Sequence, residues 1–409
     1  MTEDRVFGLR PEAGRWVYAL LGLLINLCLG AVYAYSVFKL PLQDRLGIGA
    51  TESGLPFVVF LATFALVMAG AGPLVERWGP KRTSVLGAAL VGTGWILAGL
   101  IPSIWVLTLF YGVIGGAGVG IMYGCPIAVA AKWFPDRKGL AVGLTVMGFG
   151  LSALITAPII GGLIGAAGVL PTFLILGAAF LLLLIVLSIP LRFPPDEWSP
   201  RGWSPLAKAK SDAVEIDRFH MLRTGTFYAL WGTFTIGSLA GLMAIGITKP
   251  VGMEVAGISP GFGTLSLSIF ALFNGAGRPL FGWLADSLSP RHTAILSFLL
   301  IFLASAVFYL WGQGNVALYF VAFSILWLNL GGWLAIAPTA TATFFGKRFY
   351  AKNYGVVFTA YGVGAILGGI LSGAIRDATG GYLPVFLPVM GLALLGAIVA
   401  AAALKPLRA

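Results

Sequence analysis

The chain has 409 residues, of which 58% are hydrophobic and only 10% are charged. A typical soluble domain carries about 25% charged residues, so this composition excludes a soluble globular protein and indicates an integral membrane protein. The net charge of +11 would suit a nucleic-acid ligand, unless membrane topology accounts for it.

Long charge-free stretches predict where the chain crosses the membrane, because about 20 apolar residues suffice for one helical crossing. Short breaks rich in Gly, Pro, Ser or Asn divide the longest stretches. In chain order, the sequence predicts twelve spans, at residues 16–38, 53–75, 83–101, 104–131, 139–163, 168–191, 225–248, 261–285, 293–312, 316–345, 354–375 and 381–404.

Basic residues are distributed unevenly between the loops on the two sides. With the N-terminus inside, 21 of the 26 Lys and Arg residues fall on the inner side, and four fall on the outer side: Lys39, Arg45, Lys249 and Arg376. The positive-inside rule therefore predicts that both termini are cytoplasmic, as in a protein of the bacterial inner membrane. Topology accounts for the net charge, so no nucleic-acid partner is expected.

The chain divides into two halves around one extended polar stretch. Residues 192–224 are interpreted as a cytoplasmic linker between two six-helix bundles, residues 1–191 and 225–409. The halves also repeat each other: GPLVERWGPKRT (72–83) recurs 210 residues later as GWLADSLSPRHT (282–293). Two parallel six-helix repeats predict a rocking transporter whose binding site lies between the halves, near the membrane midplane.

The first copy of this repeat resembles the motif between helices 2 and 3 of the major facilitator superfamily. An acid and several bases at helix ends can pair in one conformation and separate in the other, which predicts a conformational latch. The alternative is that these residues only set topology. The predicted latch residues, including those of the second copy, are Glu76, Arg77, Lys81, Arg82, Asp286 and Arg291.

Two further segments narrow the resemblance. WFPDRKGLAVG (133–143), followed by Gly148 and Gly150, resembles the helix 5 signature of the monocarboxylate porter family. YAYSVF (33–38) resembles helix 1 of the related bacterial oxalate/formate exchangers. The resemblance implies an all-α membrane fold of twelve helices in two pseudo-symmetric bundles, which transports its substrate as a monomer within the lipid bilayer.

Arg278 is the only charged residue inside a predicted span. A charge near the bilayer centre costs about 2.5–3.5 kcal/mol even on permissive scales, so such a residue is a functional candidate. Both the monocarboxylate porters and the oxalate/formate exchangers carry an arginine at this position of helix 8. No Asp or Glu falls within the spans, so a substrate carboxylate is the predicted partner of the guanidinium, rather than an acid of another helix.

Asn274 lies one turn before Arg278 and shares its helical face. It is predicted either to hydrogen-bond the substrate or the arginine, or to join two helices. Monocarboxylate porters commonly carry an aspartate here, which leaves the route of a coupled proton open. Aromatic residues of other spans are candidate walls of the site, although each is also typical of helix packing: Tyr33, Tyr123, Trp333, Phe358 and Tyr361.

These features predict a carrier of a small monocarboxylate such as lactate or pyruvate, and the porter resemblance implies proton symport. The oxalate exchanger carries a lysine at the position of Tyr361, so a site with one cation suits a monoanion better. Anion exchange and a non-transporting sensor remain alternatives. The sequence offers no catalytic triad or metal-ligand cluster, so neither an enzyme nor a cofactor is expected.

Overall fold

The structure is a computed structural model that describes residues 5–195, 198–200, 215–346 and 348–406. These residues form helices and no β-strand, which confirms the predicted all-α class. The α-helices are, in chain order, α1 (Pro11–Leu29), α2 (Ser36–Leu46), α3 (Ala50–Ala98), α4 (Ile104–Leu107), α5 (Gly116–Trp133), α6 (Lys138–Ala167), α7 (Val169–Ser188), α8 (Arg218–Met221), α9 (Gly225–Glu254), α10 (Pro260–Leu288), α11 (Pro290–Trp311), α12 (Val316–Phe345), α13 (Tyr350–Thr379) and α14 (Phe386–Ala403).

Ten helical segments of the described chain are long and apolar enough to cross a membrane. One of them, α3, has 49 residues, which is more than twice the length that one crossing needs. It crosses twice, because Gly79 interrupts it with φ 77° and ψ 167°. With α10, a further apolar helix of 29 residues, the described chain has the twelve predicted crossings. The predicted linker 192–224 is described only in part, because 196–197 and 201–214 lie outside the described residues.

Several helices are longer than the predicted spans. Lys39 lies within α2 and Lys249 within α9, and their exposed fractions are only 3% and 9%, so their predicted placement in outer loops was wrong. A hydropathy criterion ends a span at the first charge, whereas a lysine stem packs on apolar surface and the backbone stays helical. Arg278 is therefore not the only buried cation in the helices.

The sequence repeat makes the same turn in both halves. Gly79 and its counterpart Ser289 both have positive φ, at 77° and 95°. The hydroxyl of Thr83 donates to the Gly79 carbonyl at 2.8 Å, and that of Thr293 donates to the Ser289 carbonyl at 2.9 Å. The second copy thus holds a non-glycine residue in a backbone region that favours glycine.

Two helix pairs form the most extensive contacts between the bundles: α13 packs on α3, and α10 packs on α6. Three glycines of α13 at seven-residue spacing, Gly355, Gly362 and Gly369, face α3. A Cβ added to Gly362 would lie 2.9 Å from the Cβ of Ala65, so a larger residue would push the helices apart. These contacts enclose the centre of the molecule.

A hydrogen-bonded cap also joins the bundles at one end. The Asp377 carboxylate, near the end of α13, accepts from the backbone N–H groups of Ala50 and Thr51 at 2.9 Å each, and from the Thr51 hydroxyl at 2.5 Å. A carboxylate at a helix N-terminus is favoured by the free N–H groups and the helix dipole. We call the end that carries this cap the Asp377 face, and the end that carries the 72–83 motif the basic face.

Candidate functional site

Arg278 lies on α10 at the interface between the bundles, with 8% of its surface exposed. Its Nη1 donates to the carbonyl of Val146, on α6 of the other bundle, at 2.7 Å. Its Nε and Nη2 have no hydrogen-bond partner among the described residues. These two atoms form one edge of the guanidinium, where parallel N–H bonds match the two oxygens of a carboxylate. Arg278 can therefore accept an anion without giving up its existing bond.

A glycine of the helix 5 signature makes room for this side chain. A Cβ added to Gly150 would lie 2.8 Å from Asn274 Oδ1 and 3.2 Å from Arg278 Nε. The Nδ2 of Asn274 donates to the carbonyl of Trp327 at 3.0 Å, whereas its Oδ1 has no partner in the described part of the chain. The amide thus ties α10 to α12 and presents a free acceptor beside the arginine.

Four tyrosines surround the guanidinium closely enough to interact electrostatically with its charge: Tyr33, Tyr123, Tyr354 and Tyr361. The hydroxyls of Tyr33 and Tyr361 lie 2.7 Å apart, one from each bundle. A phenol can donate to a carboxylate or accept from a substrate hydroxyl. The site therefore combines one permanent cation with several neutral hydroxyl groups.

Aromatic rings close the remaining sides of the site. Phe149 packs edge-to-face against Tyr33 at 5.0 Å and against Tyr123 at 5.5 Å between ring centroids. Phe358 stacks on Tyr361 at 5.0 Å, and Phe64 contacts both of these rings. Such walls exclude water, which strengthens the interaction between a charged ligand and Arg278.

The structure brings together most, but not all, of the predicted site residues. Arg278, Asn274, Tyr33, Tyr123, Tyr361 and Phe358 come together, but Trp333 packs against Phe234 and Phe298 within the second bundle. Its ring fills the space that Gly237 leaves, and none of its described contacts involves Arg278. Trp333 as a wall residue stays a prediction.

Five residues of the site were not predicted from the sequence: Phe64, Val146, Phe149, Trp327 and Tyr354. Tyr354 carried a usable signal, because it precedes Tyr361 by seven residues and so shares its helical face. Phe149 is the residue before Gly150, within the helix 5 signature. Trp327 contributes a backbone carbonyl as well as its ring, and a sequence pattern gives no sign of the carbonyl.

The predicted latch residues lie apart at the basic face. Glu76, Arg77, Lys81, Arg82 and Asp286 are exposed, and no ion pair joins them in the described residues. Arg291 donates to the carbonyl of Ala401, on α14 of its own bundle. The described latch residues therefore do not join the bundles in this conformation, whereas the Asp377 cap does at the other end.

The acidic residue of the helix 5 signature, Asp136, forms a structural ion pair with Arg15 of α1. Asp136 accepts two hydrogen bonds from Arg15, at 2.5 and 2.8 Å, and the Arg15 guanidinium lies over the ring of Phe134 at 4.6 Å. These hydrogen bonds lower the pKa of Asp136 below its usual value, because they stabilise the carboxylate. The pair anchors α1 to the turn before α6, within the first bundle.

Comparisons with known proteins agree with this architecture. A family model described as the Major Facilitator Superfamily matches residues 19–325 and 232–409. The oxalate:formate antiporter of Oxalobacter formigenes is 31% identical over 373 residues, which cover 90% of this chain and 86% of that protein. Monocarboxylate transporter 12-B of Danio rerio is 24% identical over 421 residues, which cover 94% of this chain and 86% of that protein.

A solved structure also shares the fold. It is a bacterial homolog of the human lysosomal transporter Spinster, in an inward-facing and occupied conformation, with a TM-score of 0.72 at 17% identity over 95% of this chain and 96% of that chain. The resemblance seen in the sequence motifs is confirmed. The chain belongs to the Major Facilitator Superfamily and is a multi-pass membrane transporter, with relatives that include an oxalate:formate antiporter and monocarboxylate transporters.

Proposed function

We propose that the protein is a secondary transporter of small monocarboxylates of the lactate or pyruvate type. The observation that carries this proposal is the free Nε and Nη2 edge of Arg278, buried between the bundles with no acidic partner in the described chain. Two relatives support it by name, since one is an antiporter of oxalate and formate and the other a monocarboxylate transporter.

Alternating access follows from the position of the site between the two halves. Arg278 and Tyr361 belong to the second bundle, and Tyr33 and Val146 belong to the first. A bound carboxylate neutralises the guanidinium, which lowers the free energy of closing both bundles around it. The loaded transporter therefore closes more easily than the empty one, which must bury a bare cation.

We place the protein in a bacterial inner membrane with both termini in the cytoplasm. The excess of Lys and Arg on the basic face supports this orientation. The Asp377 cap then closes the outer side, and the separated latch residues leave the bundles untied on the cytoplasmic side. In the opposite conformation the cap opens and the latch pairs.

Proton symport is the first candidate for coupling. The resemblance to monocarboxylate porters implies it, and a monocarboxylate transporter among the relatives matches 94% of this chain. Exchange of one anion for another is the second candidate, and Asn274 favours it. A neutral amide cannot neutralise Arg278 when the site is empty, so the empty transporter would return slowly. An exchanger avoids this step, because it always returns with an anion.

Transport in proteoliposomes tests the function and separates the two modes of coupling. Labelled lactate and pyruvate should accumulate by counterflow against internal unlabelled acid, with formate and oxalate as comparison substrates. Symport predicts net uptake driven by an inward proton gradient into vesicles without internal anion. Exchange predicts no net uptake and counterflow that does not respond to the gradient. Absence of flux for every acid would contradict the proposed function.

A further inference from the structure

A cavity lined by one cation, Lys249, lies between the bundles, toward the Asp377 face. It has a volume of about 360 Å³, which falls within the range of small-molecule sites. Both bundles contribute to its walls, the first through α2 and α6 and the second through α9 and α10. Its lining includes Pro158, Gly161, Lys249, Pro260, Gly261 and Thr264.

Lys249 is the charged residue of this cavity. Only 9% of its surface is exposed, and none of the described residues forms an ion pair or hydrogen bond with its ammonium group. A Cβ added to Gly263 would lie 3.2 Å from Lys249 Cγ, so α10 packs closely on the stem of the lysine. The ammonium nitrogen is not among the fully buried unpartnered atoms of the described chain, so it reaches the open cavity, where an anion can compensate its charge.

Two acids near this end of the molecule are engaged elsewhere. Glu254 accepts from Arg376 and from the Tyr382 backbone N–H, at 2.7 Å each. Asp377 caps the start of α3. The protein therefore supplies Lys249 with no counter-charge from these groups, and the open cavity lets one enter from outside.

We propose that this cavity is a second anion site, in which Lys249 binds a small soluble carboxylate at the closed mouth of the transporter. The largely apolar walls suit a short organic anion better than a strongly hydrated ion. Thr264 precedes Arg278 by fourteen residues of α10, so the two sites are about 21 Å apart along the helix. The site collects anions near the entrance and is distinct from the central one.

Charge-selective labelling of a cysteine in the cavity tests this proposal. Thr264→Cys is made with Cys28 and Cys125 replaced by alanine, and the purified protein is labelled in detergent. Two methanethiosulfonate reagents are compared, one carrying a sulfonate and one a trimethylammonium group. The ratio of their rates should exceed that of a free thiol by about 10-fold, the lower end of the effect of charge-lined clefts. Lys249→Gln should abolish this preference.

Three controls make the result decisive. The rate with neutral methyl methanethiosulfonate should not change in Lys249→Gln, which shows that the cavity is intact. Arg278→Gln should keep the sulfonate preference, so the inference is independent of the central site. Millimolar lactate or acetate should slow labelling in lipid-free detergent. The proposal would be overturned if the ratio of sulfonate to trimethylammonium labelling rates were the same with Lys249 and with Lys249→Gln. Protection of the cysteine by phosphatidylglycerol but not by lactate would also overturn it.

Discussion

The hydroxyls of Tyr33 and Tyr361 form a 2.7 Å hydrogen bond that joins the two bundles beside Arg278. Both side chains are fully buried, so neither hydroxyl has water as a substitute partner. The bond has to break when the bundles separate, and a substrate between them can take over either hydroxyl. The pair is thus placed to respond to a substrate bound in the proposed site.

A double-mutant cycle tests this pair. Tyr33→Phe and Tyr361→Phe should each destabilise the protein by about 1–3 kcal/mol, since each leaves a buried hydroxyl unpaired. The double variant should be no less stable than either single variant, which gives a coupling of at least about 1–3 kcal/mol in detergent unfolding. Tyr111→Phe is the control, because the Tyr111 hydroxyl has no partner among the described residues. Additive effects would show that the bond is absent.

Gly150→Ala should impair transport through its contacts with Arg278 and Asn274. The new methyl group would lie 2.8 Å from Asn274 Oδ1, and overpacking of this kind costs about 1–3 kcal/mol. We expect lactate uptake to fall by about 10-fold or more as the guanidinium is displaced. Gly143→Ala, on the same helix with open space around it, should transport normally. Equal activity of the two variants would contradict the placement of Gly150.

Ser289→Gly should stabilise the protein. Ser289 has φ 95° and ψ 153°, a region that glycine occupies without strain and other residues enter at a cost of about 1–3 kcal/mol. Glycine already stands at the equivalent position 79. We expect the thermal midpoint to rise, whereas Ser287→Gly, at an exposed helical position, should lower it slightly. A fall in the midpoint for Ser289→Gly would show that this backbone is not strained.

The Arg15 and Asp136 pair predicts a pH dependence of stability. The pKa of Asp136 is lower in the folded protein, so its contribution is complete above the unfolded pKa of about 3.9 and is lost as the pH falls through the folded value. Asp136→Asn should therefore destabilise by about 1.5–3 kcal/mol between pH 5 and 8. The difference from wild type should shrink below about pH 4. A difference that persists undiminished in acid would contradict the role of the carboxylate.

Hydropathy and the internal repeat were enough to predict the twelve crossings, because the bilayer imposes both length and polarity on each helix. The exact helix ends were not predictable in this way. Lys39 and Lys249 continue their helices into the protein interior, where packing rather than hydropathy decides where a lysine lies. For the same reason, the cavity around Lys249 could not be predicted from hydropathy.

Residues of the site were predictable where they are polar in an otherwise apolar span. They were not predictable where they are apolar like the rest of the span. Arg278 stood out as a charge in an apolar run. Phe149 and Trp327 did not, because aromatic residues make up 13% of the chain and most of them pack helices. The carbonyl of Val146 is a site component that every residue type offers, so only the fold could identify it.

Lactate binding to variants of Arg278 tests the central claim most directly. Arg278→Gln removes both the charge and the paired N–H donors of the guanidinium, whereas Arg278→Lys keeps only the charge. With insertion and monodispersity unchanged, we expect Arg278→Gln to weaken lactate binding at least about 100-fold, since two charge-assisted hydrogen bonds are lost. Arg278→Lys should fall between it and the wild type. Wild-type lactate affinity in Arg278→Gln would contradict the account.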